Sequence, residues 1–251
     1  MNKLPLITLI LALLSFAAFA ADAPVKALVI TGGHGYDVEP FDVMLKALSG
    51  VQCTHVDAPD DGKVFEDALN WSYDVIVLYN MGQQISDKSR ENLLALLDKG
   101  VGLVVLHHAI ASFNDWPEYW KIIGAHYYLK NYTEKGKEHA QSTWKEGVEF
   151  KLSPADKDHP IVKGVTPFTV HDETYAGFTT EPDNHPLLNA EGPGTEPVYA
   201  WWRTCKNANV FYMVPGHGPT IFADENYRRV VSQAIQWAAK PANKAAAEKG
   251  K

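Results

Sequence analysis

Five groups of residues in this chain are of types that do chemistry, and each stands where a strand should end. His107 and His108 follow an apolar run over 101–106, and His34 lies in the turn Thr31-Gly32-Gly33-His34-Gly35. Asp172 and Glu173 sit between His171 and Tyr175, His217 lies between Gly216 and Gly218, and Arg203 follows the pair Trp201-Trp202. Imidazole titrates near neutral pH and is the commonest metal ligand. A carboxylate beside it can act as general acid or base once its pKa is raised, or complete a ligand set. Consecutive residues leaving a strand point in opposite directions. His107 is therefore the expected site residue, with His108 in a supporting or structural place unless the chain turns sharply. An arginine buried in a strand needs an anionic or carbonyl partner, and paired indoles offer flat faces that suit a sugar ring or fill a core.

These residues need a scaffold that gathers strand ends. Short apolar runs alternate with helical spacing from residue 25. Strands are expected at 25–31, 51–57, 73–79 and 101–106, and helices at 40–48, 64–69 and 86–99, the last capped by Ser86 and stopped by Gly100. That order predicts an α/β chain with a flavodoxin-like, doubly wound, mainly parallel sheet, whose ligand crevice lies beyond the carboxyl ends of the strands. After His108 come a helix at 116–123, an aromatic-rich stretch to about Trp144, strands at 148–152, 168–171, 198–202 and 210–214, and a closing helix at 227–239. Trp116, Tyr119, Trp120, Tyr127, Tyr128 and Tyr132 are expected either to fold over the crevice or to form an oligomer surface. The glycine turn lacks dinucleotide and nucleotide-phosphate spacing, so no nucleotide cofactor is expected. His159, before Pro160, reads as a turn residue.

Composition sets the class. The chain has 251 residues, 46% hydrophobic and 21% charged, ordinary for a globular protein. Residues 1–20, with Lys3, an apolar run and Ala18-Phe19-Ala20, read as a signal peptide, so export to a periplasm or the exterior is expected. Its removal leaves 22 basic and 30 acidic residues, which argues against nucleic acid or a membrane surface as partner. One domain is expected over 21–240, with a frayed tail over 241–251. An oxidising compartment permits a Cys53–Cys205 disulfide, although nothing in the sequence brings the two together.

Several short motifs, in order, resemble the ThuA-like, or trehalose utilisation, family. They are Thr31–Gly35, Leu106-His107-x-Ala109, Trp116-x-x-Tyr119 before Gly124, and His159-Pro160. Asp172-Glu173-x-Tyr175, Pro197-Val198 with Trp202-Arg203, and Gly216-His217 before a Trp-Ala-Ala helix complete the set, which spans 25–239. The resemblance implies a fold like that of class I glutamine amidotransferases, without their nucleophilic cysteine. His107 occupies the region where that cysteine would stand. It also implies a role in processing sugars, including 3-keto disaccharides. Many members carry a His-Pro pair where this chain reads Tyr127-Tyr128-Leu129-Lys130-Asn131.

Three readings follow. In the first, a divalent metal such as zinc, held by some of His34, His107, Glu173 and His217, polarises a sugar carbonyl or activates water. In the second, without a metal, a histidine or Glu173 removes a proton beside a ketone while Arg203 and a histidine stabilise the enolate, with Asp172 counted among the catalytic residues. Trp116, Tyr119, Tyr175 and Trp202 would contact the substrate in either case. In the third, the crevice only binds a carbohydrate or a partner protein, a homo-oligomer among the options.

Overall fold

The structure, a computed structural model, describes residues 23–58 and 63–242. The signal peptide expected over 1–20 lies outside the described residues, as does the tail from 243 onward. The chain begins with β1 (Val25–Gly32), α1 (Val38–Lys46), β2 (Val51–Asp57), β3 (Val75–Asn80), α2 (Asp87–Asp98) and β4 (Gly102–Leu106). The helix expected at 64–69 is a single 3-10 turn, Lys63–Phe65. Ser86 caps α2 by accepting the Ser89 amide, and Gly100 takes the left-handed backbone that stops it, both as the spacing predicts.

A 3-10 turn, His107–Ala111, follows β4 and leads to α3 (Pro117–Ile123). Two short ribbons come next, β5 (Ala125–His126) and the hairpin of β6 (Tyr132–Glu134) with β7 (Lys137–His139). Then come β8 (Thr143–Pro154), β9 (Phe168–Ala176), β10 (Thr179–Thr180), which pairs with β5, and β11 (His185–Glu191). The chain finishes with β12 (Val198–Cys205), β13 (Ala208–Met213), α4 (Pro219–Ala223) and α5 (Glu225–Ala238).

Nine strands form one sheet in the order β2-β1-β3-β4-β13-β12-β11-β8-β9. Its first five strands are parallel and reproduce the flavodoxin-like arrangement. The other four are joined by antiparallel pairings, so the sheet is half antiparallel rather than mainly parallel. β4 is buried along its whole length, the state its apolar run implies. Gly102 interrupts that run for a packing reason: a Cβ there would run into the Ala238 carbonyl of α5. Cys53 and Cys205 are free thiols on β2 and β12 with four strands between them, so the disulfide is not formed. No helix among the described residues is long and apolar enough to cross a membrane.

Candidate active site

The carboxyl ends of β1, β3, β4 and β13 open into a cleft of about 680 Å³. His107 lies fully buried just beneath its floor, against the lining residues Glu173, Tyr175 and His217, because the strand alternation breaks there. Its backbone is left-handed, φ 51°, and the next residues enter the 3-10 turn. A non-glycine residue in that region is strained and persists only where its surroundings hold it. The Tyr212 hydroxyl donates to the His107 carbonyl, and the Tyr119 hydroxyl donates to Ala109 in the same turn. This sharp turn puts His108 in the cleft lining and His107 directly behind the lining residues Glu173, Tyr175 and His217, so both histidines turn to the same side, which simple alternation forbids.

Each imidazole is then fixed separately. His107 Nδ1 lies 2.7 Å from the Val214 carbonyl, which can only accept, so Nδ1 carries a proton and Nε2 is the nitrogen turned toward the acidic and aromatic groups of β9. Around Nε2 converge the Tyr175 hydroxyl at 3.0 Å, Glu173 Oε2 at 3.0 Å and His217 Nδ1 at 3.2 Å. Glu173 Oε2 is also 3.5 Å from His217 Nδ1. Despite this crowding, the buried Glu173 Oε2 accepts no aligned hydrogen bond. Burial alone would raise the Glu173 carboxyl. The adjacent His107, the Tyr175 hydroxyl and His217 reverse that effect and hold it below the usual carboxylate range. Burial, with the Glu173 charge, keeps Tyr175 protonated and therefore a donor.

Asp172 and Glu173 do not end a strand; β9 runs on to Ala176. Glu173 and Tyr175, two apart, share the face toward the imidazoles. Asp172 does not join them. It accepts the backbone amides of Gly216, at 2.7 Å, and of His217, at 3.1 Å, and so pins the loop that presents the His217 ring. Burial raises its pKa against the pull of His107 and those amides. Gly216 is required in that loop, since its φ is +142° and a Cβ would lie 2.7 Å from the Tyr227 hydroxyl.

Here a profile of the trehalose utilisation family, ThuA, matches residues 26–238. The chain belongs to the ThuA family. No curated protein matches it. Among solved structures, it is similar to a ThuA-like protein of Parabacteroides merdae ATCC 43184 at 24% identity, over 86% of this chain and 90% of that one, with a TM-score of 0.68. A ThuA-like protein of Bacteroides uniformis ATCC 8492 matches at 19% identity over 89% and 95% of the two chains, TM-score 0.63. A cytoplasmic protein of Salmonella typhimurium LT2 matches at 12% identity over 86% and 100%, TM-score 0.63. At these identities the three show a shared fold.

The other expected site residues of this ThuA chain are placed as follows. His34 reaches the cleft, but its Nδ1 faces the Gly35 carbonyl at 2.7 Å and its ring stacks on His108 at 4.4 Å. It lies outside the convergent group of His107, Glu173 and His217, so it is not a fourth ligand there. Arg203 is far from the chemistry. It lies on β12 opposite Val210, which pairs with Leu103 at the lower half of β4, and it forks onto Asp183 at 2.9 and 3.0 Å. It cannot stabilise an enolate at His107.

Trp202 is stacked between other rings, 4.1 Å from His185 and 5.4 Å from both His159 and Trp237, and does not line the cleft. Trp116 packs on Phe113 and Tyr119 beneath the Arg90 guanidinium. Tyr119 is fully buried and serves the 3-10 turn. Neither Trp116 nor Tyr119 lines the cleft, so of the four expected substrate contacts only Tyr175 does.

Of the six aromatic residues expected to fold over the crevice, only Tyr127 lines it, because side chains alternate along this stretch. Tyr127, Leu129 and Asn131 face the cleft. His126, Tyr128 and Tyr132 face away and pack with Trp120. Sequence reasoning missed Trp144 and Glu146 of β8, which also line the cleft; an alternating strand across 143–147 was the signal available.

One further constellation has the look of a nucleophile relay. Thr31 Oγ1 lies 2.9 Å from His55 Nε2, whose Nδ1 lies 2.9 Å from Asp42. Thr31 is fully buried, so no substrate reaches it, and the three tie β1, β2 and α1 together.

Proposed function

We propose that this ThuA chain is an enzyme of sugar metabolism that cleaves or otherwise processes glycosides or 3-keto-glycosides, at a site where His107, Glu173 and His217 hold a divalent cation such as zinc. One observation carries the reading. His107 Nε2, Glu173 Oε2 and His217 Nδ1 are 3.0, 3.2 and 3.5 Å apart. Four donors at zinc bonding distance in a tetrahedron lie roughly 3.3–3.5 Å from one another, so these three atoms stand close to the mutual spacing such an ion would need. The fit is chemical as well as geometric. Two imidazole nitrogens and a carboxylate oxygen are donor atoms of the kind a divalent cation takes, and Glu173 Oε2 is buried with no hydrogen-bond partner of its own. The Val214 carbonyl orients His107 in the manner of an outer-shell partner of a ligating imidazole.

Such a cation supplies a Lewis acid for a carbonyl or an acidified water. The residues do the rest. Asp172 holds the His217 loop, and the Tyr175 hydroxyl offers a hydrogen bond to a substrate oxygen. In a 3-keto glycoside the ketone acidifies the C2 proton. Its loss to a base on the cleft floor forms the C1–C2 double bond and breaks the C1–O bond, and the released oxygen takes up a proton as the free alcohol. Water returned to C1 gives net hydrolysis.

The test combines metal analysis of the purified protein with turnover of a 3-keto disaccharide by His107→Ala and Glu173→Gln. We expect one equivalent of metal, and losses of about a hundredfold or more, the scale of a removed acid–base or ligand group. Undiminished turnover in both variants refutes the catalytic assignment, and full activity in metal-free protein refutes the cation.

A further inference from the structure

The mouth of the cleft differs in kind from its floor. Trp144 on β8 is 61% exposed, lines the cleft, and has no ring packed on it among the described residues. It sits directly opposite Tyr175 in the β8–β9 register, so the indole is one cross-strand step from the residue that touches His107. A large exposed apolar side chain is an ordinary surface feature when isolated; one in the wall of a ligand-sized cleft marks a contact. Beside it lie Asn131, Gln141 and Thr143, uncharged donors and acceptors. Among the described residues lining the cleft there is no lysine or arginine, and the fixed charges are the carboxylates of Glu146 and Glu173.

We infer that Trp144 is the platform on which the outer ring of the glycoside stacks while the inner ring sits at the Glu173–His217 floor, and that this mouth selects against an anionic group on the outer ring. The inference rests on the carbohydrate reading above and specifies its substrate class. A pyranose has one face of C–H groups, which suits an indole, and an equator of hydroxyls, which suits amides. A phosphate or carboxylate on the outer ring, away from the cation proposed at the floor, would be desolvated beside the Glu146 carboxylate with no lysine or arginine in the lining to receive it. The volume of 680 Å³ falls within the 300–1,000 Å³ or so of clefts that enclose ligands larger than one small ring.

The test is calorimetric titration of the purified chain, and of Trp144→Ala and Trp144→Phe, with trehalose, its 3-keto derivative, methyl α-glucoside and trehalose 6-phosphate. We expect the disaccharides to bind about tenfold more weakly to Trp144→Ala, with partial recovery in Trp144→Phe. The single-ring glucoside should bind alike to all three proteins, and the phosphorylated sugar at least tenfold more weakly than trehalose. Disaccharide affinity unchanged by Trp144→Ala overturns the stacking assignment, and phosphate affinity equal to or above that of trehalose overturns the charge assignment. If none of the four sugars binds even the unaltered chain, the carbohydrate reading itself fails, whatever Trp144 does.

Discussion

Replacing Asp172 by alanine should loosen the His217 loop without touching any group that faces the cleft. The Asp172 carboxylate is buried and receives the Gly216 amide at 2.7 Å and the His217 amide at 3.1 Å. An orphaned buried amide costs about 1–3 kcal/mol, so two place the loss at roughly 2–6 kcal/mol, toward the lower end because the His217 amide is only part-buried. In a domain of this size each kcal/mol moves the melting temperature by about 2–4 °C, so a fall of about 5–15 °C is expected. Asp172→Asn keeps one acceptor oxygen and should lose about half as much.

The same change frees the His217 ring from its position 3.2 Å from His107 Nε2. Loss of an outer-shell support typically weakens metal binding by about 10–100-fold. Thermal melts of metal-free protein and a zinc titration with a competing chelator measure the two effects independently. If Asp172→Ala melts within about 1 °C of the unaltered chain and binds zinc equally well, the loop is held by something else and the positioning role is refuted.

Two other outcomes follow from the same contacts. Burial, reinforced by His139, lowers the pKa of His126 to about 4. The unfolded chain therefore takes up a proton near pH 6.5 that the folded chain refuses. Stability should fall as pH drops from about 6.5 to about 4, by up to roughly 3 kcal/mol from this group, and then level off. Urea unfolding at pH 7 and pH 4.5 should show a smaller difference for His126→Phe than for the unaltered chain; equal differences refute it. Arg203→Met breaks the contacts to Asp183 and Asn184 and should cost about 1–3 kcal/mol of stability while leaving kcat unchanged, because Arg203 lies away from the cleft. A fall in kcat with an unaltered melting temperature would return Arg203 to the chemistry.

The sequence by itself determined the strand–helix alternation, the caps of α2 and the places where β1 and β4 end. From those followed the flavodoxin-like half and the delivery of His34 and His107 to one rim. Hydrophobic period and capping chemistry are local signals, and these elements are local in origin. It could not decide which acid, ring or cation joins them. Asp172 and Glu173 are adjacent and chemically alike, and only the register of β9 sends one to backbone amides and the other to imidazoles. His108 needed the left-handed turn at His107 to reach the cleft, and alternation gives no hint of it.

Arg203 and Trp202 resembled a substrate platform because the antiparallel half was read without its register. Their true partners, Asp183 and His185, lie on and just before β11, a strand that no clear alternation announced. The convergence of His107 with Tyr175 and His217 spans 68 and 110 residues of chain. Such distances are closed by the packing of β9 on α4 beside the loop after β13, and long-range packing leaves no period in a sequence. Tertiary structure alone therefore decided which of the chemically able residues meet.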